Sequence, residues 1–239
     1  MPAILIVAIV FAAALAQSLT GFGFALIVMP LLTIVLGIRT AAPLVALAAL
    51  TVYTVNLVRY RRAIKVQEVW RLGVASAVGV PVGIWLLSTA DEDLVMRILG
   101  IILVAYAGYS LLQPNARRAL AQGWVYPAGF LAGCLGGAYN TPGPPVIVYG
   151  SLRQWPRNEF RAVLQALFLL NAVLVVASHA VAKHLTKQVF VYYLYAVPAL
   201  AVGILIGSMV DSRIDQGRFR KLVTAMILAL GLALILGVG

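Results

Sequence analysis

The chain has 239 residues, of which 63% are hydrophobic and 10% charged, and its formal net charge is +11. Soluble domains run near about 45–50% apolar and about 25% charged, so with a mean hydropathy of +1.00 a water-soluble fold is excluded. The basic excess reads as loop charge of a membrane protein and not as a nucleic-acid surface, because no basic stripe carries interleaved aromatics.

Charge clusters divide the chain into apolar segments at 2–37, 41–58, 72–88, 94–112, 124–151, 162–182, 188–210 and 222–238. An all-α polytopic membrane protein follows. The first segment would make a helix of about 54 Å, far beyond the ~30 Å hydrocarbon core. It is interrupted at SLTGFG, residues 18–23. ALAQ at 14–17 imitates a leader cleavage site, but no basic stretch precedes it and the apolar run resumes after TGFG, so the segment is read as retained. The fifth segment is interrupted in the same way at NTPGPP, residues 140–145. Trp70, Trp124 and Trp155 stand beside charge clusters, as belt residues do, and His179 falls at a segment end, as an interfacial residue does. One cysteine, Cys134, excludes an intrachain disulfide and a Cys-x-x-Cys site, and two histidines are too few for a histidine-rich metal site. No metal or cofactor is expected.

The chain divides near QPNARRALAQG, residues 113–123, into halves 1–115 and 116–239 that look like repeats offset by about 120. Gly23 lies opposite Gly143, Trp70 opposite Phe190 and Gly83 opposite Gly203. Loop charge decides how the halves are oriented. If 124–151 crosses once, Lys and Arg divide 9 inside and 9 outside; if it forms a re-entrant hairpin, they divide 14 and 4. Positive charge accumulates inside, which favours the hairpin. Each half then has five membrane segments, four long ones with the first broken into a pair, and the repeats are inverted.

Two breaks at matching positions point to a binding site, since irregular backbone at membrane depth must line a cavity or be buried in protein. The half-helix after a break exposes N–H groups that attract anions. Thr20, Asn140 and Thr141 offer hydroxyl and amide groups; Gly21, Gly23 and Gly143 allow close approach; Phe22 and Phe24 narrow the site or stack on a ligand; Pro144 and Pro145 suit the first turn of a helix. Gln165 and Asn171 share a helix face only loosely, and each has interhelical bonding as its plainer explanation. Arg97 and Arg161, at segment starts, either snorkel or guide an anion inward. All seven acidic residues, Glu68, Asp91, Glu92, Asp93, Glu159, Asp211 and Asp215, fall in loops or at segment ends. With no intramembrane carboxylate to mark a cation or proton path, an anionic or neutral substrate fits best.

The breaks TGFGFALIVMPLL and GFLAGCLGGAYNTPGPPVIVY, with the two-half layout, resemble the sulfite exporter TauE/SafE family of membrane transporters over nearly the whole chain. The resemblance implies movement of small sulfur-containing anions, sulfite and organosulfonates among them, across the bacterial cytoplasmic membrane, often outward. The sequence departs from the family pattern at Thr20, Phe22 and Phe24 and from Asn140 to Pro142.

The expected function is a secondary transporter or facilitator exporting a small anion, with Thr20, Gly21, Phe22, Gly23, Asn140, Thr141, Gly143, Pro144, Gln165 and Asn171 at the substrate. A channel-like passive anion pore is the alternative. No enzyme is expected, because no Cys–His, Ser–His or carboxylate constellation lies in the spans. The expected partners are the small anion and the lipid bilayer, not nucleic acid, with a homodimer left open. The hairpin topology puts both termini in the periplasm. Cysteines placed near Met1 and Gly239 in a Cys134→Ala background should react with an impermeant thiol reagent in outer-membrane-permeabilised cells. Labelling of either only after inner-membrane lysis returns the chain to simple crossings in parallel repeats.

Overall fold

The computed structural model describes residues 2–89, 92–112, 121–153 and 155–210, and then 225, 228, 229, 231–233, 235 and 236. Regular structure among these residues is entirely helical. Hydrocarbon offers backbone groups no hydrogen-bond partner, so an apolar chain satisfies them within the segment. The helices are α1 (Pro2–Thr20), α2 (Phe24–Leu36), α3 (Ile38–Tyr60), α4 (Val66–Thr89), α5 (Glu92–Leu112), α6 (Val125–Tyr139), α7 (Gly143–Leu152), α8 (Arg157–Val181) and α9 (Lys187–Val210). Five of them, α1, α3, α4, α8 and α9, are long and apolar enough to cross a membrane.

Both expected interruptions are present. The 2–37 segment is α1 and α2, but its break is shorter than the sequence indicated: Ser18, Leu19 and Thr20 stay helical and only residues 21–23 leave the helix. The Thr20 hydroxyl bonds back to the Ala16 carbonyl at 2.7 Å, which keeps it inside the last turn. The 124–151 segment is α6 and α7, parted at residues 140–142. Within each pair the two helices pack on one another. Gly37 alone joins α2 to α3, with φ 73° and ψ 153°, a conformation reserved for glycine. Most of the 222–238 segment, the 113–120 part of the boundary loop, and Asp91, Asp211 and Asp215 lie outside the described residues.

Contacts across the bundle fix three directions. Gly129, Gly133 and Gly137 of α6 meet Leu72, Ser76 and Val80 of α4 in rising order, so these helices are parallel. Gly203 and Gly207 of α9 meet Ala14 and Ser18 of α1 likewise. Between these pairs, α3 and α8 run antiparallel: Arg161 reaches Tyr60, Phe168 packs on Tyr53, and Ala172 shares a cavity with Ala49.

The α4–α6 contact is backbone against backbone. A side-chain carbon on Gly133 would collide with the Ser76 carbonyl oxygen, one on Gly137 with that of Val80, and one on Gly83 with that of Cys134. Small residues permit such approach where lipid supplies no hydrophobic drive between helices. Gly133→Ala should therefore force the pair apart at an overpacking cost of about 1–3 kcal/mol, read as a lower melting temperature in detergent. Gly108→Ala, whose added carbon meets nothing within 4 Å, should leave melting unchanged or raise it. Equal melting of the two variants would refute the contact.

Candidate functional site

The first break is held by side chains from α1 and α8. Gly21 (φ 84°) and Gly23 (φ 107°) turn the chain through the left-handed region. Gln17 spans the turn: its Oε1 accepts the Phe24 N–H at 3.0 Å, an otherwise orphaned donor at the start of α2, and its Nε2 donates to Gly21 O at 3.2 Å. Gln165 Nε2 donates to the same carbonyl at 2.7 Å, and the two side-chain amides meet at 3.3 Å. Arg161, 3% exposed, lays its stem over Gly21, where an added carbon would stand 2.9 Å from Cγ. Its guanidinium donates to Leu19 O at 2.8 Å and to the Tyr60 hydroxyl at 3.0 Å. A cation there complements the negative end of α1. The Thr20 hydroxyl turns to the Ala16 and Phe22 carbonyls, and Phe22 is buried.

The second break closes differently. Asn140 ends α6 in the left-handed conformation, φ 57°, which asparagine tolerates better than most residues. Its Nδ2 donates to Ala42 O of α3 at 2.9 Å, and the Thr141 N–H bonds Leu135 O at 3.2 Å. Gly143 opens α7, followed by Pro144 and Pro145 in the first turn, where proline loses least. Pro142, Pro144 and Pro145 carry no N–H, so this half-helix opens with a thinner set of anion-binding donors than a helix start ordinarily has. Beside the break is a cavity of about 10 Å³, room for one water, lined by Ala49, Tyr53, Gly136, Asn140, Pro142, Phe168, Asn171, Ala172 and Val175. Asn171 is pinned there by Ser76 Oγ at 2.8 Å and by its own bond to Leu167 O at 3.0 Å.

The residues singled out in the sequence therefore fall into two groups. Gln165 joins Thr20, Gly21, Phe22 and Gly23 at the first break; Asn171 joins Asn140 at the cavity, with Thr141, Gly143 and Pro144 along the second break. Gln165 and Asn171 lie on one helix but serve different breaks. Sequence reasoning left Gln17, Tyr53 and Phe168 out of the site and treated Arg161 as a residue of the helix entrance. An amide four residues before the Gly21 break was a usable signal for Gln17.

Charged and imidazole groups outside the breaks also find partners. Glu68 is buried in the first turn of α4, accepts the Tyr149 hydroxyl at 3.3 Å and faces Arg153 at 3.9 Å. Glu159 pairs with Lys65 at 2.8 Å. His179 is buried and paired with His184, Nδ1 to Nδ1 at 3.1 Å. Trp155 packs edge-on against Tyr149, 5.5 Å between ring centroids, while Trp70 and Trp124 are exposed.

A bundle of membrane-length helices around two broken ones is the build of a multi-pass membrane transporter. The family model for the sulfite exporter TauE/SafE matches residues 6–234, and the chain belongs to that family. A protein of Cupriavidus necator named "Probable sulfite/organosulfonate exporter TauE" is 28% identical over 233 residues, 92% of this chain and 88% of that one. No solved structure matches the chain. Family membership and the membrane-length helices place the protein in the inner membrane as a multi-pass protein.

Backbone and amide roles at Asn140 separate by substitution. Asn140→Gly keeps the left-handed conformation and loses the bond to Ala42. Asn140→Ala loses both and should be less stable than Asn140→Gly by about 1–2 kcal/mol. Differential scanning fluorimetry in detergent measures the gap, and a more stable alanine variant would contradict the cap.

Proposed function

We propose that the protein is a secondary transporter that exports a small anion, sulfite or an organosulfonate, through the paired breaks, and that residues 1–115 and 116–239 are inverted repeats. The repeat reading is supported by contacts that exchange when the halves are exchanged: α1 with α9 against α6 with α4, and α3 with α8 against itself. Polar clips recur as well. Thr51 bonds Tyr193 of α9 at 2.7 Å, and Asn171, the offset equivalent of Thr51, bonds Ser76 of α4 at 2.8 Å.

The observation that carries the anion reading is Arg161. Among the described residues it and Glu68 are the buried charged side chains, and only Arg161 stands at a break. A buried guanidinium favours an anion over a cation at close range, where the local dielectric is low. The burial of Phe22 at the first break and of Asn140 and Thr141 at the second speaks for a carrier with a closed state and not for an open pore. The substrate class follows the name of the Cupriavidus necator relative.

Purified protein in liposomes should move sulfite with saturable kinetics. Arg161→Gln should weaken sulfite binding roughly ten- to a hundredfold, the range expected for losing hydrogen bonds to a charged group, with Arg161→Lys between the two. Isothermal titration, normalised to the folded fraction from gel filtration, provides the readout. If Arg161→Gln lowers melting temperature but leaves affinity per folded molecule unchanged, Arg161 is only a cap on α1. Absence of saturable flux for sulfite, taurine and sulfoacetate alike would reject the transporter reading.

A further inference from the structure

We infer that Tyr53 and Phe168 form the barrier between the two breaks, and that parting these rings is the step by which an anion passes from one break to the other; this rests on the transporter reading above. Along the antiparallel α3–α8 pair the order of contacts is fixed. Tyr60 with Arg161 stands at the end next to the first break. Tyr53 with Phe168 comes next, ring centroids 5.1 Å apart. Ala49 with Ala172 follows, sharing the small cavity with Asn140 and Asn171 at the second break. The first break touches α8 at Arg161 and Gln165, and the second meets it at Phe168 and Asn171. The breaks are thus staggered along α8 by about two turns, roughly 10 Å at 1.5 Å per residue, with the rings between.

The rings close the way by size and by charge. Tyr53 is 3% exposed and Phe168 2%. Of the cavity-lining residues on α3 and α8, Tyr53 and Phe168 stand nearest the first break, so they wall the cavity on that side. The cavity admits a water and no oxyanion. Ring faces carry the negative part of the aromatic quadrupole, so an anion meets repulsion from the faces and attraction only along the edges.

Each ring is also tied to a different half-helix. Phe24, the first residue of α2, packs edge-on against Tyr53 with centroids 6.5 Å apart. Gly143, the first residue of α7, lies against Phe168, where an added carbon would stand 3.5 Å from Cζ. Movement of α2 therefore acts on one ring and movement of α7 on the other. Neither ring is matched in the other half, since the offset equivalents of Tyr53 and Phe168 are Val173 and Ala48.

The test needs no substrate. In a Cys134→Ala background, Thr20→Cys reports on the first break and Ala49→Cys on the cavity. A small cationic impermeant thiol reagent is applied to spheroplasts and to inside-out vesicles, and it reaches the cavity when the helices around the second break part. With the native rings each reporter should react from one face only, and the two from opposite faces. Phe168→Ala and Tyr53→Ala should raise the rate from the other face at least tenfold, while Tyr53→Phe should not. Phe168→Leu, which keeps most of the volume and loses the ring, should also open the path and decides the matter if the alanine variants do not fold. Reaction of either reporter from both faces with the rings intact, or one-sided reaction in folded Phe168→Leu, overturns the barrier. Neither result bears on saturable sulfite flux, and loss of that flux with one-sided labelling preserved rejects the transporter reading alone.

Discussion

A helix broken inside hydrocarbon leaves carbonyl and N–H groups that water cannot reach, and each must find a partner in the protein. The core of this molecule is arranged around that requirement. The first break places the Leu19 and Gly21 carbonyls and the Phe24 N–H where the backbones of α1 and α2 cannot satisfy them. Arg161, Gln165 and Gln17 supply the missing partners. Because two of the three come from α8, the break is stable only when the second half is docked. The second break draws on the first half in turn, through the Ala42 carbonyl that accepts from Asn140. The halves are thus coupled by backbone satisfaction as well as by packing.

The two breaks meet this requirement with opposite chemistry. The first is rich in polar side chains and carries a cation. The second removes donors at the source, through Pro142, Pro144 and Pro145, and needs few partners as a result. That asymmetry answers why three prolines crowd a helix start: they shorten the list of N–H groups to be satisfied near a small, mostly apolar cavity. It also leaves the buried charge of the two breaks at the first, where Arg161 is buried.

Much of the architecture was legible in the sequence. The excess length of segment 2–37 and the Gly and Pro clusters near the two breaks each correspond to a physical feature, respectively a broken helix and a turn. What escaped was the partner of each polar group. Gln17 is one amide in an apolar helix, and nothing in its neighbourhood reveals a bond to Gln165, 148 positions away. Ser18 and Thr20 fall within the SLTGFG interruption seen in the sequence, whereas in an apolar setting the Thr20 hydroxyl bonds its own helix. Glu68 sits at a helix end, as the sequence indicates, but is buried because Tyr149 and Arg153 return to meet it from α7 and the turn after it. These are contacts of tertiary structure, and local pattern carries no record of them.

The glycine contacts also determine which parts of the bundle can move. Along α4 and α6, glycines set one backbone against carbonyl oxygens of the other at several successive turns, so the pair cannot slide or approach further without collision. The α1–α9 pair has the same character around Gly203 and Gly207. Those two pairs are interlocked at the backbone. The contacts of α3 with α8 are made by side chains instead, and the shortest helices, α2 and α7, each pack on one of that pair. Side-chain contacts can be exchanged by rotation about χ1 and χ2, whereas interlocked backbones cannot. Among the described helices, the contacts that can be exchanged without backbone collision therefore include those of α2, α7 and the α3–α8 interface, which border both breaks.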